Sequence, residues 1–353
     1  MSVTTDLDAP EQPALPPARP SKLRNGMRDV TQNRTVRFIF ITIVVAAFGY
    51  WFPQWAYGWD MPAGELVWGF IIGSLTALMA FGLALIYKAN KVINFAQADL
   101  GAVPASLCVS LISLELWSFW IALPVALIAA VALGCFVEFV IIRRFSKAPR
   151  LILMVVTVGL AQLLAGLGVA IPFFMGADLP QQTYNPPFDF SFEISPVIFH
   201  ANDLIAVIAT LLSIIGLFAF LRFTSIGIAL RASSESSDRA SLLGVNVGFT
   251  HNIAWIIATL LATISLILRA GIIGLPLGSA FGPAILLRAL TAAVIGRMEN
   301  FTAIFLASCG LGAVETIVVW NKGSAELVDP IMFVIVIAAL LLQRRNKESR
   351  VED

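Results

Sequence analysis

The chain has 353 residues, of which 58% are hydrophobic and 13% are charged, and its formal net charge at pH 7 is +1. Soluble domains carry about 25% charged residues and about 45–50% apolar residues, so this composition excludes an ordinary soluble protein. A net charge so close to zero also gives no basic surface for nucleic acid, and we expect no nucleic-acid partner.

The cysteines and histidines give no sign of metal binding or catalysis. Cys108, Cys135 and Cys309 lie singly in apolar runs, and His200 and His251 stand far apart in the sequence. A metal site or a disulfide framework needs a recognisable ligand spacing, and an enzyme needs a nucleophile beside a base or a metal cluster. We therefore expect no catalytic residue, no metal and no enzymatic activity in this chain.

Residues 1–36 are rich in proline and polar side chains, which predicts a disordered cytoplasmic tail. Long apolar runs follow, and a run of about 18 or more such residues can cross a bilayer as a helix, because a helix satisfies its own backbone hydrogen bonds in lipid. We predict an all-α fold, a polytopic transmembrane helical bundle over residues 37–343, before a cytoplasmic tail at 344–353. Ten membrane segments are expected, at 37–53, 64–87, 98–115, 118–142, 151–174, 203–222, 251–272, 281–296, 301–320 and 327–343.

Lysine and arginine are concentrated in alternate connections between the predicted spans. Cytoplasmic loops of membrane proteins retain positive charge. With both termini in the cytoplasm, 20 of the 23 basic residues fall in cytoplasmic segments, and Lys322 is the only one in the predicted external loops. We therefore predict cytoplasmic N- and C-termini, a cytoplasmic loop at 223–250 and an external loop at 175–202. The external loop is either a solvated connector or a docking surface for an external partner.

The cytoplasmic loop contains a predicted short helix at 236–243. Ser236 can cap its start, and Gly244 suits the left-handed residue after its end. Glu235 and Arg239 are spaced to pair at i,i+4. The apolar side chains of this helix are Ala240, Leu242 and Leu243. It is either an amphipathic connector or a surface that a cytoplasmic partner contacts.

A polar break separates two of the apolar runs, at Asn94, Gln97 and Asp99. Polar groups at membrane depth are tolerated mainly where they line a cavity or are buried in protein. These three residues therefore either line a translocation pathway, with the chain bending at its wall, or form a cytoplasmic turn flanked by Lys88 and Lys91.

Two arginines, Arg269 and Arg288, lie within predicted spans. An isolated charge there costs about 2.5–3.5 kcal/mol on insertion scales, so such residues usually have a partner or reach water. They either meet the carboxylate of a substrate, or pair with Glu315 or extend to an interface.

Five glycines within the spans predict close contacts between helices, because small residues let helix backbones approach in lipid. They are Gly73, Gly82, Gly159, Gly166 and Gly310.

Two stretches of the sequence carry a resemblance to a known family. The first, over residues 69–105, contains Gly73, Gly82 and Tyr87, followed by Ile93-Asn94-Phe95-Ala96-Gln97-Ala98-Asp99. The second, in the cytoplasmic loop, contains Gly227, Arg231-Ala232 and Leu242-Leu243-Gly244-Val245-Asn246-Val247. In order and spacing over roughly 64–340, the chain resembles the permease subunits of branched-chain (hydrophobic) amino acid ABC importers. Gln97 and Ala98 stand where that family usually has His and Gly.

The resemblance implies a multi-pass permease subunit in the plasma membrane of a prokaryote, translocating branched-chain or other hydrophobic amino acids. It implies cytoplasmic ATP-binding subunits, a second related permease subunit and an extracytoplasmic substrate-binding protein as partners in the lipid bilayer. The sequence contains no Gly-x-x-x-x-Gly-Lys-Ser/Thr phosphate loop, so we expect no cofactor in this chain and ATP in the partner. Alternatives are a permease of the same type for urea or short amides, and an ion-coupled secondary transporter.

The residues themselves and the resemblance together give two sets of candidate residues. The translocation pathway is expected to include Asn94, Gln97, Asp99, Arg269, Arg288 and Glu315. The loop that contacts the ATPase is expected to include Gly227, Arg231, Ala232, Glu235, Arg239, Leu242, Leu243 and Gly244.

Overall fold

The computed structural model describes Gly58 and residues 62–145, 148–176, 181–276, 281–323 and 325–348. The predicted N-terminal tail and the predicted first span at 37–53 lie outside these ranges. So do the last five residues of the predicted C-terminal tail.

Eleven helices make up most of the described chain. They are α1 (Ala63–Asn90), α2 (Gln97–Ser113), α3 (Phe119–Phe136), α4 (Arg150–Phe174), α5 (Ala201–Phe223), α6 (Ser225–Glu235), α7 (Ser237–Leu242), α8 (Val247–Ile273), α9 (Phe281–Ile295), α10 (Phe301–Lys322) and α11 (Val328–Glu348). A π-helical turn at Val137–Ile141 and a 3-10 turn at Ile142–Phe145 extend α3, and a 3-10 turn at Ala325–Leu327 precedes α11.

Four short strands lie in the connections between helices. Strand β1 (Gln181–Gln182) pairs antiparallel with β4 (Leu275–Pro276), in the register Gln181 to Pro276. Strands β2 (Ser191–Ile194) and β3 (Val197–His200) form a hairpin within the predicted external loop. The all-α prediction did not include this hairpin, although Phe190, Phe192 and Ile194 alternate with polar residues in the manner of a strand.

Six of the described helices are long and apolar enough to cross a membrane: α1, α3 with its extension, α4, α5, α8 and α10. Three shorter apolar helices lie within α2, α9 and α11. The predicted membrane helices are therefore confirmed in kind, whereas the count of ten and the cytoplasmic location of both termini stay predictions. The last helix ends at Glu348, beyond the predicted span end at 343.

Helix α1 is the centre of the bundle. Its most apolar stretch is 94% buried, against 33% for α3 and α4 and 22% for α5. It packs against α5, α6, α8, α9 and α10. Because α5 is the least covered of the long helices, its apolar side chains face lipid or another protein subunit.

Glycines allow the close packing of α1 and α10. A Cβ atom on Gly73 would lie 2.8 Å from the Cα of Cys309, and one on Gly312 would lie 2.6 Å from the Cα of Gly73. Such backbone contact is available only to small residues. The predictions for Gly73 and Gly82 are confirmed. Those for the other three are wrong for the part of the chain the structure describes, where nothing lies within 4 Å of an added Cβ at Gly159, Gly166 or Gly310.

Candidate translocation pathway and coupling segment

The polar break between α1 and α2 is buried inside the bundle. Asn94, Gln97 and Asp99 are 1%, 0% and 4% exposed. The Asn94 side chain organises the turn: its Nδ2 donates to Gln97 Oε1 at 3.2 Å, and its Oδ1 accepts from the Ala96 amide at 3.0 Å. These hydrogen bonds compensate for the loss of water around the amide groups.

Helix α2 begins well inside the bundle rather than at its end. Gln97 Nε2 donates to the Ala258 carbonyl of α8 at 3.0 Å, and a Cβ on Gly82 would collide with the same nitrogen. Gly82 precedes the end of α1 at Asn90 by about 12 Å along the helix axis, at 1.5 Å per residue. The break is therefore a buried bend rather than a solvated turn. That it lines the pathway stays a prediction.

A threonine on α4 supports the bend from the other side, and the sequence did not predict its role. Thr157 is 1% exposed, and its Oγ1 accepts from the Phe95 amide at 3.3 Å. A single threonine in an apolar run is a weak signal, because its hydroxyl also bonds within its own helix, here donating to the Met154 carbonyl.

Asp99 lies where the first turns of two helices meet. It is in the first turn of α2, and a Cβ on Gly282, in the first turn of α9, would lie 2.5 Å from its Oδ1 and 2.6 Å from its Oδ2. Helix N-termini carry partial positive charge, which stabilises a nearby carboxylate. Gly282 was not predicted, because its role depends on a contact between distant parts of the chain.

A cluster of four charged side chains, one from each of α8, α9, α10 and α11, lies within the bundle. Arg288 Nε is 3.1 Å from Glu315 Oε2, and Arg288 Nη2 is 3.3 Å from Asp329 Oδ1. Arg269 is 8% exposed and interacts electrostatically with both Glu315 and Arg288. The cluster contains two cations and two anions, and the half-exposed Asp329 side chain connects it to water.

The two arginines of this charge cluster differ in their partners. Arg288 pairs with Glu315, one of the predicted alternatives, and also with Asp329, which was not predicted. The sequence signal for Asp329 is its position as an acidic residue at the start of the last predicted span. Arg269 makes no ion pair with a described residue, and its Nε is buried without a hydrogen-bond partner among them. That Arg269 meets the carboxylate of a substrate stays a prediction.

The predicted coupling loop folds as two short helices, α6 and α7. Thr224 Oγ1 accepts from the Gly227 amide at 2.9 Å at the start of α6. Ser236 Oγ accepts from the Arg239 amide at 3.4 Å at the start of α7, and Gly244 has a φ of +83°. The short helix, its serine cap and its left-handed glycine are confirmed, whereas α6 was not predicted.

One predicted contact in this loop is wrong. Glu235 ends α6 and Arg239 lies in α7, and the extended backbone at Ser236 between them breaks the helical i,i+4 geometry. No ion pair forms between Glu235 and Arg239, and both side chains are exposed.

The surface of α6 and α7 carries the remaining predicted coupling residues. Gly227 allows α6 to fold back on α5, since a Cβ there would lie 2.7 Å from the Cα of Leu221. Arg231 and Ala232 are exposed. Leu242 and Leu243 are 86% and 84% exposed, an apolar pair at the tip of the loop.

The external loop packs onto the end of the bundle. Tyr184 stacks on Phe119 with ring centroids 5.6 Å apart, and burial raises the pKa of its phenol, which therefore stays neutral at physiological pH. Asn202 Nδ2 donates to the Gly271 carbonyl at 2.7 Å, which ties the start of α5 to the end of α8. Both predicted roles of this loop, connector and docking surface, stay open.

The long apolar helices, the buried polar bend and the internal charge cluster define a multi-pass membrane protein of the permease type. The sequence pattern of the family described as branched-chain amino acid transport system / permease component matches residues 65–342. The chain therefore belongs to the permease subunits of branched-chain amino acid ABC importers.

Several curated relatives are similar over most of their length. The high-affinity branched-chain amino acid transport system permease protein LivH of Salmonella typhimurium is 26% identical over 294 residues, covering 78% of this chain and 91% of the relative. The probable branched-chain amino acid transport permease protein LivH of Methanocaldococcus jannaschii is 26% identical over 263 residues, covering 72% and 80%. The permease protein BraD of Pseudomonas aeruginosa is 25% identical over 265 residues, covering 71% and 84%.

Among solved structures, a chain of PsaBC from Streptococcus pneumoniae, in complex with a Fab, has a TM-score of 0.44 and 14% identity. The match covers 84% of this chain and 94% of that chain. A likeness this distant bears on neither fold nor function.

Proposed function

We propose that this chain is a permease subunit of an ATP-driven importer in the plasma membrane of a prokaryote. Its substrates are leucine, isoleucine, valine or related apolar amino acids, and ATP is hydrolysed in separate cytoplasmic subunits. Family membership and the printed names of the relatives support the class of substrate. A second related permease subunit completes the channel, and an extracytoplasmic protein delivers the substrate.

The exposed leucine pair of α7 is the observation that carries the ATP-driven part of this proposal. Leu242 and Leu243 are almost fully exposed at the tip of a polar loop. Fully burying a leucine side chain stabilises a contact by about 1.5–3 kcal/mol. A groove on an ATP-binding subunit that covers both residues would therefore hold the permease by this loop.

Contacts inside the bundle connect this loop to the buried bend. Asn246 caps the start of α8, and Thr250 in its first turn contacts Ser233 of α6 at 3.4 Å between hydroxyl oxygens. Further along α8, the Ala258 carbonyl accepts the hydrogen bond from Gln97. A displacement of α6 would thus act on α8, and α8 holds the bend. For ATP to drive transport, its subunits must bind the outward- and inward-facing states of the permease with different affinities.

The coupling role is tested by Leu242→Asp combined with Leu243→Asp. Because both side chains are exposed, the variant should insert and fold normally. We expect cells that carry it to lose at least nine-tenths of leucine uptake, and the ATP-binding subunits to stop co-purifying with the tagged permease. Leu116→Asp is the matched control, since Leu116 is 85% exposed on the predicted external side. The control should retain both properties.

Full uptake by the double variant, with the ATP-binding subunits still attached, would remove α7 from the coupling.

The substrate class is tested in cells that carry the unmodified chain. There, excess valine and isoleucine should compete with labelled leucine, whereas urea and acetamide should not. Competition by urea alone would favour the permease for short amides.

A further inference from the structure

A cavity of about 480 Å³ lies between α1, α5, α6 and α10. Leu85 and Lys88 line it from α1. At 3.6 residues per turn, they lie about 60° and 120° around the helix axis from Gly82. It lies at the end of the bundle where α1 and α5 finish, the predicted cytoplasmic side. We propose that this cavity binds an anionic phospholipid of the inner leaflet.

Three cationic side chains line the cavity: Lys88, Arg222 and Arg231. Arg222 and Arg231 make no ion pair with any carboxylate in the described ranges, whereas Lys88 interacts with the charge of Glu299. Lys88 Nζ also donates to the Glu299 carbonyl at 2.8 Å. The site therefore carries excess positive charge, which a phosphodiester would neutralise.

The rest of the cavity wall is apolar. Leu85, Leu221 and Leu230 are buried, and Phe301 packs edge-on against Phe81 with ring centroids 5.3 Å apart. Phe218 is 41% exposed and Phe301 is partly exposed, and free phosphate would leave both rings in contact with water. A glycerophospholipid fits both parts, because its phosphate meets the cations and the first part of its acyl chains covers the rings of Phe218 and Phe301.

An apolar stripe on α5 leads from the membrane-facing surface to the cavity. Leu211, Ile215 and Phe218 are 56%, 55% and 41% exposed, and their spacing with Arg222 places all four on one face of the helix. Phe218 and Arg222 line the cavity themselves. The stripe gives acyl chains a continuous apolar surface that ends at an arginine, which is the pattern of a lipid site rather than of an acidic protein surface. Basic pockets between membrane helices on the cytoplasmic side are known to bind anionic lipid headgroups.

The test measures lipid retention by the full-length chain purified in detergent, using native mass spectrometry. We compare phosphatidylglycerol with phosphatidylcholine of the same acyl chains, for the unmodified chain and for Arg222→Gln combined with Arg231→Gln. We expect the unmodified chain to prefer phosphatidylglycerol at least tenfold. The double variant should bind it about 25-fold more weakly, about fivefold for each arginine, which corresponds to ~1 kcal/mol per basic residue.

Arg144→Gln combined with Arg150→Gln is the matched control, since both arginines are exposed near the same end of the bundle and neither lines the cavity. It should change retention by less than twofold. If the double cavity variant fails to fold, Arg231→Gln alone should still weaken retention about fivefold.

Three results would overturn the proposal. The first is equal retention of phosphatidylglycerol by the unmodified chain and the cavity variant. The second is displacement of the lipid by glycerol 3-phosphate at matching concentration, which would identify a site for soluble phosphates. The third is unchanged lipid retention together with loss of the ATP-binding subunits from the cavity variant, which would identify a protein contact.

Discussion

At the scale of single residues, Arg288 is the side chain whose removal should lower the stability of the protein the most. It pairs with Glu315 and Asp329, and the side chains of Arg288 and Glu315 are only 12% and 15% exposed. Breaking a buried pair by removing one partner leaves the other charge without compensation, which is more costly than removing both. The cluster therefore links α9, α10 and α11, whereas a role for Arg269 in binding an anionic substrate group stays a prediction.

We predict that Arg288→Gln destabilises the protein by about 3–5 kcal/mol, the range for breaking buried pairs. Arg288→Gln combined with Glu315→Gln should recover most of that loss. Thermal unfolding in detergent, followed by intrinsic fluorescence, checks both variants. A single variant that unfolds at the normal temperature but loses leucine transport would instead assign Arg288 to substrate binding.

The sequence alone predicts some of the contacts between single residues but not others. Charged residues within predicted spans are easily recognised in a sequence, so the pairing of Arg288 with Glu315 could be predicted as one of several roles for Arg288. The hydrogen bond from Gln97 to Ala258 was not, because its acceptor is a backbone carbonyl whose position depends on how α2 and α8 pack. For the same reason, the sequence does not predict the role of Gly282, whose lack of a side chain makes room for Asp99.

At the scale of helices and strands, the sequence predicts the start and end of a short helix better than its place in the bundle. The cap at Ser236 and the left-handed residue Gly244 are properties of short sequences, so α7 could be predicted. The central position of α1 could not be predicted, because its apolar run looks like those of the peripheral helices. The prolines of the external loop disfavour a long helix but do not indicate strands, so they do not predict the β2–β3 hairpin.

The packing of α1 against α10 gives a prediction with an internal control. Gly73→Ala should destabilise the protein by about 1–3 kcal/mol, because the added methyl group has no room beside the backbone of α10. Gly310→Ala, on α10 itself, has open space around its Cβ and should leave stability unchanged or slightly higher. Thermal unfolding of the two variants in the same detergent makes the comparison. Equal midpoints would mean that α1 and α10 are not in backbone contact.

At the scale of the whole molecule, two sets of contacts run through the bundle. Helices α1 and α10 are joined by backbone contact, whereas α8 is linked to the cytoplasmic loop at one end and to the charge cluster at the other. An ATP-driven change in the cytoplasmic loop would therefore act on α8, which holds the buried bend and carries Arg269. An ion-coupled transporter with this fold would need no partner at α7.

The most direct test of this account separates ATP from ion gradients as the source of energy. Uptake of labelled leucine through this chain is measured, as the difference between cells with and without its gene, after ATP depletion by arsenate and after collapse of ion gradients by an ionophore with ATP maintained by glycolysis. We predict that ATP depletion abolishes this uptake and that the ionophore leaves most of it. Uptake that survives ATP depletion and collapses with the ionophore would contradict the account.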